Sequence, residues 1–286
     1  MSRYHGEVVG RGIPVLFLPS GGFTGEQGRS LAEALCDDFE VHLLDLPGFG
    51  RSEGIGQVVD AKQLADWVKG YVESRRLGPV HVIAHSLGGA VALAFAVHYP
   101  EQVERLVLLD QGHKSFPRVP IKEYGVFGFA VPILSGLYRL LGPRFLEHIE
   151  RKVVSDKPSS SISDDRFQVF CKQTGLPERD EIRHALDAPA KLERGGLQLL
   201  FGFYHLDVPF LMRSLQVPTL LVYADFVGLD AKEARLTKSA IIDLQRHELP
   251  ITYIRLTGGH FVHWNPAFPI EQVLQFLQSQ KVSGLR

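Results

Sequence analysis

Ser86 lies in the run Val80-His81-Val82-Ile83-Ala84-His85-Ser86-Leu87-Gly88-Gly89-Ala90-Val91-Ala92-Leu93. A short apolar stretch rich in β-formers passes there straight into a helix-forming stretch. A strand that turns at once into a helix leaves its corner residue on a tight, strained backbone with the side chain exposed. A serine hydroxyl held at such a corner is placed to attack a carbonyl carbon. Small residues at Ala84 and Gly88 let the two backbones approach, and the Leu87 N–H is left free to bind an oxyanion. Such a hydroxyl needs a base to take its proton. The candidate is His260, in Leu256-Thr257-Gly258-Gly259-His260-Phe261-Val262-His263, because a Gly-Gly turn after a strand can aim an imidazole.

Ser86 and His260 are far apart in sequence, so the elements around them must bring them together. After strand material broken by Gly10-Arg11-Gly12, Ile13 to Leu18 is a short apolar run of the buried-strand kind. A glycine-rich loop follows from Pro19 to Gly25, then a helix around Leu31 and Leu35. Val41 to Asp45 reads as a strand that runs into Leu46-Pro47-Gly48-Phe49-Gly50-Arg51-Ser52, a turn dense in Pro and Gly. Leu64, Trp67, Val68, Tyr71 and Val72 share one helical face. Pro100 should stop the helix that begins after Ser86, and Leu106 to Asp110 reads as the next strand. From Gln111 to about Val217 the alternation fails. That segment reads as mostly helical, with large apolar residues such as Tyr124, Phe127, Tyr138 and Phe145. It holds a polar loop from Ser155 to Asp165 and an aromatic cluster at Phe201, Phe203, Tyr204 and Phe210. Alternation resumes with a strand at Thr219 to Tyr223, a helix from about Ala231 to His247, a strand at Ile251 to Leu256 and a last helix carrying Ile270, Val273, Leu274 and Leu277. This pattern implies the α/β class, a parallel sheet covered on both faces. Reactive groups in such sheets gather at the carboxyl ends of the strands. Ser86, Asp110 and the loop carrying His260 all fall at such ends.

The chain has 286 residues, 45% apolar and 22% charged, which suits a soluble domain with an ample core. A formal net charge of −1 and the lack of a basic run argue against a nucleic-acid partner. Two cysteines, Cys36 and Cys171, make neither a disulfide framework nor a cysteine-based zinc site. No apolar stretch reaches membrane-spanning length, and the first residues lack the apolar core of a signal peptide, so a cytoplasmic protein is expected.

The corner at Ser86, the Asp45–Ser52 turn and the Gly-Gly-His loop together resemble the α/β-hydrolase family, with Ala84 where that family most often has Gly. The resemblance implies a mostly parallel, doubly wound sheet, with a core over 1–110 and 218–286 and an inserted helical cap over 111–217. It implies a carboxylesterase-like serine hydrolase that cleaves carboxylic esters or related acyl compounds through a Ser-His-Asp triad and an acyl-enzyme. No metal or organic cofactor is implied, and the partner is a small-molecule ester or acyl substrate. Aligned to the family's His-Gly-x pattern, Pro19 stands for His, Ser20 for Gly, and Gly21 falls at the second oxyanion donor beside the Leu87 N–H; Gly22 is the alternative. The usual acid position falls on Val227, flanked by Asp225 and Asp230. A minority of the family places the acid after the preceding strand, where Asp110 stands. Asp110 is therefore the expected acid, with Asp225 and Asp230 left open. Asp45 is implied to brace its turn, and His263 to pack or hydrogen-bond in its loop. The cap aromatics imply an apolar pocket or cap-to-core packing. A lactonase, a C–C bond hydrolase and a cofactor-free haloperoxidase use the same fold, and a hydrolase-like ligand sensor with a signalling partner is a rival of another class.

Overall fold

The computed structural model of the chain describes residues 3–116, 129–142, 144–146, 148–149, 161–191 and 195–279. Seven strands form one sheet: β1 (Gly6–Gly10), β2 (Ile13–Leu18), β3 (Phe39–Leu44), β4 (Val80–His85), β5 (Val103–Leu109), β6 (Thr219–Ala224) and β7 (Ile251–Leu256), in the order β1-β3-β2-β4-β5-β6-β7. β1 runs antiparallel to β3 at one edge, and the other pairings are parallel.

The strands read as unbroken apolar runs because both of their faces are buried. Side chains alternate between two cores. Leu16, Leu18, Val82, Ala84, Leu106 and Leu108 face one core, built with α2 (Ala61–Ser74), α3 (Leu87–His98) and α9 (Ala231–Leu244). Val15, Phe17, Ile83, Val107 and Leu109 face the other, built with α1 (Arg29–Leu35) and α10 (Ile270–Gln278). By the same alternation His81 and His85 point toward the α1/α10 side. The start of α2 is fixed by a capping box, in which the Asp60 carboxylate accepts from the Gln63 N–H and the Gln63 side chain binds back to Asp60.

Between β5 and β6 the described residues hold α4 (Val131–Leu141), α5 (Asp164–Thr174), α6 (Asp180–Asp187), α7 (Gly196–His205) and α8 (Val208–Arg213), and no strand of the sheet. A β-bridge joins Phe23 to Pro189. The polar loop expected up to Asp165 ends sooner, since Asp164 and Asp165 already form the first turn of α5. Their carboxylates suit the positive end of a helix, so polarity there marks a helix start rather than a loop. Ser155 to Ser160, Tyr124 and Phe127 lie outside the described residues. Of the aromatic residues, Tyr138 and Phe201 pack with Leu146, Phe203 joins the sheet core, and Phe210 is 59% exposed. The Val59 N–H donates to Tyr138 Oη at 3.0 Å, which ties α4 to the core. Among the described residues no helix is long and apolar enough to cross a membrane.

Candidate active site

The register of β4 against β5 pairs His85 with Leu109, so the next residues, Ser86 and Asp110, leave the sheet side by side. Both turn into the left-handed region, with φ 51° at Ser86 and 49° at Asp110. A residue with a Cβ held there costs on the order of 1–3 kcal/mol and persists where its surroundings over-determine it. At Ser86 they do. Its N–H donates to Leu109 O at 3.4 Å, and its carbonyl accepts from the Ala90 N–H at 3.2 Å and from Gln111 Nε2 at 2.8 Å. Gly88 permits the corner by close approach: a Cβ there would stand 2.3 Å from Leu18 O. The Gly88 N–H is taken by Pro19 O at 3.0 Å. The Leu87 and Gly21 N–H groups meet no acceptor among the described residues. The two residues are neighbours, because a Cβ on Gly21 would lie 3.2 Å from Leu87 Cδ2.

Asp110 is 3% exposed. Its Oδ1 accepts from the Ala224 N–H at 3.0 Å and its Oδ2 faces His260 Nδ1 at 2.6 Å. Burial alone would raise this carboxyl, but the hydrogen bond and charge of His260, with His113 and Lys114 further off, bring it below the ordinary carboxylate range. Ionised, it can only accept, so His260 Nδ1 is the donor of this bond. The His260 side chain is 38% exposed. His113 Nε2 lies 3.8 Å from Asp110 Oδ1, too far for a hydrogen bond. Burial pushes the His113 imidazole down to about 4.

The other carboxylates are engaged elsewhere. Asp225 Oδ2 accepts from Arg255 Nε at 3.0 Å, Arg255 Nη2 at 2.8 Å and Thr257 Oγ1 at 3.1 Å, and Oδ1 accepts from the Val227 N–H at 2.9 Å. Asp230 caps α9 through the Lys232 and Glu233 N–H groups. Val227 is 55% exposed. Asp45 braces its turn, accepting from the Gly25 N–H at 3.0 Å and the Arg51 N–H at 2.9 Å. His263 is buried against Phe17, His85 and Trp264, and neither ring nitrogen finds a partner among the described residues. It packs rather than hydrogen-bonds, and burial pushes its imidazole down to about 3.

Three residues near the site are not singled out by the sequence. His85 Nε2 donates to the His260 carbonyl at 3.0 Å, and burial holds the His85 imidazole well below its usual value. Gln111 links Ser86 O to the Gly112 N–H. Gln27 is buried against Ser20, with bonds of 2.7 and 2.8 Å. The one signal available was a polar side chain inside an otherwise buried segment, which names no partner. Among the described residues no group of three or more His, Cys, Asp or Glu is arranged to hold a metal ion.

Comparison with known proteins agrees with this fold. A sequence model of the alpha/beta hydrolase family matches residues 15–272. The chain is 27% identical to 2-hydroxy-6-oxononadienedioate/2-hydroxy-6-oxononatrienedioate hydrolase 2 of Pseudomonas putida, over 96% of this chain and 92% of that one. It is 30% identical to the pimeloyl-[acyl-carrier protein] methyl ester esterase of Aeromonas hydrophila, over 79% of this chain and 82% of that one. In fold it is similar to a thermophilic esterase from Thermogutta terrifontis, with TM-score 0.62 and 22% identity over 96% of this chain and 92% of that one. A parallel sheet with a serine corner after its central strand, matched by the family's sequence pattern along nearly its whole length, makes this chain a member of the alpha/beta hydrolase family.

Proposed function

We propose that the chain is a serine hydrolase acting on carboxylic esters or related acyl compounds. The observation that carries this reading is the Asp110–His260 pair, 2.6 Å apart at the carboxyl ends of the strands, where Ser86 also stands on its positive-φ corner. In the proposed reaction Ser86 Oγ attacks the carbonyl carbon and His260 Nε2 takes its proton. Asp110 holds the ring in the tautomer that leaves Nε2 bare and stabilises the imidazolium that forms. The Gly21 and Leu87 N–H groups receive the developing oxyanion, each contributing about 3 kcal/mol. His260 returns the proton to the leaving group, and water, activated in turn by His260, releases the acyl-enzyme. Residues 111–217 are proposed as a cap over this site. Support comes from the Ala190 N–H donating to Gly22 O at 2.9 Å and from Phe170 packing on Phe261 with ring centres 5.3 Å apart.

A second reading is favoured by the similarity to the Pseudomonas putida hydrolase over 96% of this chain. The same nucleophile and donors would then act at a ketone carbonyl and release a carbon leaving group. A panel of p-nitrophenyl esters, lactones and a 2-hydroxy-6-oxo-dienoate separates the two by relative kcat/KM. A fluorophosphonate should label Ser86, and Ser86→Ala should abolish both labelling and turnover. Full activity in that variant would remove the nucleophile and with it both readings.

A further inference from the structure

Gln27 is 1% exposed and Ser20 5% exposed, and the two are matched at both ends of one carboxamide. Gln27 Oε1 accepts from the Ser20 N–H at 2.7 Å, and Gln27 Nε2 donates to Ser20 Oγ at 2.8 Å. We propose that Gln27 is a positioning residue for the oxyanion site: by gripping Ser20 at its N–H and its hydroxyl, it aims the Gly21 N–H at a carbonyl oxygen bound over Ser86. The proposal rests on the serine-hydrolase reading above and deepens it.

The geometry follows from the peptide plane. The Phe23 N–H donates to Ser20 O at 3.3 Å, closing a turn over Gly21 and Gly22, and Gly22 takes φ 84° as the third position of such a turn requires. In a trans peptide the C=O and the next N–H point in opposite directions. With Ser20 O turned into the loop, the Gly21 N–H is turned out of it, and Gly21 itself lies beside Leu87, since a Cβ on it would stand 3.2 Å from Leu87 Cδ2. Nothing in the turn itself fixes the preceding peptide, and Gln27 does. It holds the Ser20 N–H away from the site, which leaves Gly21 as the donor of this loop, and it pins the Ser20 side chain on the same carboxamide. Gln27 is held in its turn: it lies in the short segment Gly25–Gly28, whose Gly25 N–H is anchored on the Asp45 carboxylate at 3.0 Å. The Asp45 turn is thus connected to the Gly21 amide by hydrogen bonds at Gly25 and between Gln27 and Ser20, joined by the backbone from Gly25 to Gln27 and by the Ser20–Gly21 peptide. A donor fixed in advance is effective because it costs no reorganisation when charge develops.

The test compares Gln27→Leu, Gln27→Glu and Ser20→Ala with the wild type on an ester the wild type turns over. A trifluoromethyl ketone serves as the oxyanion-bearing inhibitor. Gln27→Leu should lower kcat about 10²-fold with KM little changed, and should weaken the inhibitor by a similar factor, because only the tetrahedral state uses the donor fully. Gln27→Glu keeps an acceptor for each Ser20 donor and should recover most of the loss. Ser20→Ala loses one of the two bonds and should fall between. In the wild type itself, the amide protons of Gly21 and Leu87 should move downfield when the inhibitor adduct forms, while that of Ser20 stays. A folded Gln27→Leu with unchanged kcat and inhibitor affinity overturns the proposal, as does a rise in KM alone. A downfield shift of the Ser20 amide overturns it even where the variants do not fold. Failure of Ser86 to label, or the absence of any ester turnover, would instead defeat the hydrolase reading.

Discussion

The Ala224 N–H donates to Asp110 Oδ1 at 3.0 Å, so the last residue of β6 helps to hold a carboxylate that leaves the neighbouring strand. The next residue, Asp225, turns the other way and spends its carboxylate on Arg255, Thr257 and the Val227 and Gly258 N–H groups. Two aspartates at the ends of adjacent strands thus have opposite surroundings. One is fully buried, faces an imidazole and keeps few donors. The other braces the loop that carries that imidazole.

Asp110→Asn should therefore be close to inactive. A carboxamide can keep the Ala224 bond through its oxygen, but its NH₂ then faces His260 Nδ1. The ring would answer by moving its proton to Nε2 and would cease to be a base. The loss expected is about 10⁴-fold in kcat, with KM nearly unchanged. Steady-state kinetics with a burst-phase control checks this, and a loss of less than tenfold would remove Asp110 from the proposed triad.

Asp225→Asn should act on stability instead. It weakens the bonds to the Arg255 guanidinium, whose exposure screens them, and the cost should be about 1–2 kcal/mol in urea denaturation. Turnover per folded molecule should stay within an order of magnitude of wild type. If this variant were the dead one, the acid would be Asp225 and not Asp110.

The fold was legible because burial on both faces writes itself into the strands as continuous apolar runs, as at Val15 to Leu18 and Leu106 to Leu109. The corner at Ser86 was legible for a local reason: strand, small residue, serine and helix are contiguous. The acid was legible only in part: the family resemblance implied Asp110 but left Asp225 and Asp230 open, because which of them faces His260 depends on the register of β5 against β6 and on side-chain direction. Neither is a property of a short segment. The start of α5 was misread because acidic residues mark both loops and helix N-termini, and composition does not separate the two. The contact of His85 was illegible for the same non-local reason, since its acceptor lies 175 residues away, whereas Gln27 binds Ser20 only seven residues back and was illegible because a glutamine beside a glycine-rich loop does not name its partner.

His85 offers a third prediction. Its Nε2–H pins the carbonyl of His260, so the residue beside the proposed nucleophile also positions the proposed base. His85→Phe keeps the ring packing against His263 and Phe261 but removes the donor. It should lower kcat by up to about 10²-fold through a misplaced imidazole. His85→Gln retains a donor at similar reach and should recover most of that loss. Equal activity in the two variants would show that the hydrogen bond has no part in catalysis.

The buried histidines set how stability responds to acid. His113 and His263 titrate at about 4 and about 3 in the folded chain, against 6.5 for an ordinary imidazole. Burial is the first cause in both, since a charged ring there would lose its water. Above 6.5 the rings are neutral folded or unfolded, and they contribute no pH dependence. As the pH falls below that value, the unfolded chain binds protons that the folded chain refuses, and stability drops. The slope contributed by each ring approaches about 1.4 kcal/mol per pH unit. For His113 it ends near 4 and for His263 near 3. Asp110 acts in a separate, lower window: its folded value lies below 3.8, so its stabilisation is complete above 3.8 and is lost as the pH falls through the folded value. The histidine contribution can therefore be isolated between about pH 4 and pH 6. His263→Phe removes two ring nitrogens that have no partner among the described residues and leaves a ring to pack on Phe17 and Trp264. Urea denaturation across that window should give a stability curve shallower than wild type by about 1.4 kcal/mol per pH unit, with a constant offset between the two curves above about pH 7. Parallel curves would mean that His263 is protonated in the folded chain as readily as in the unfolded one, and that its burial does not govern its charge.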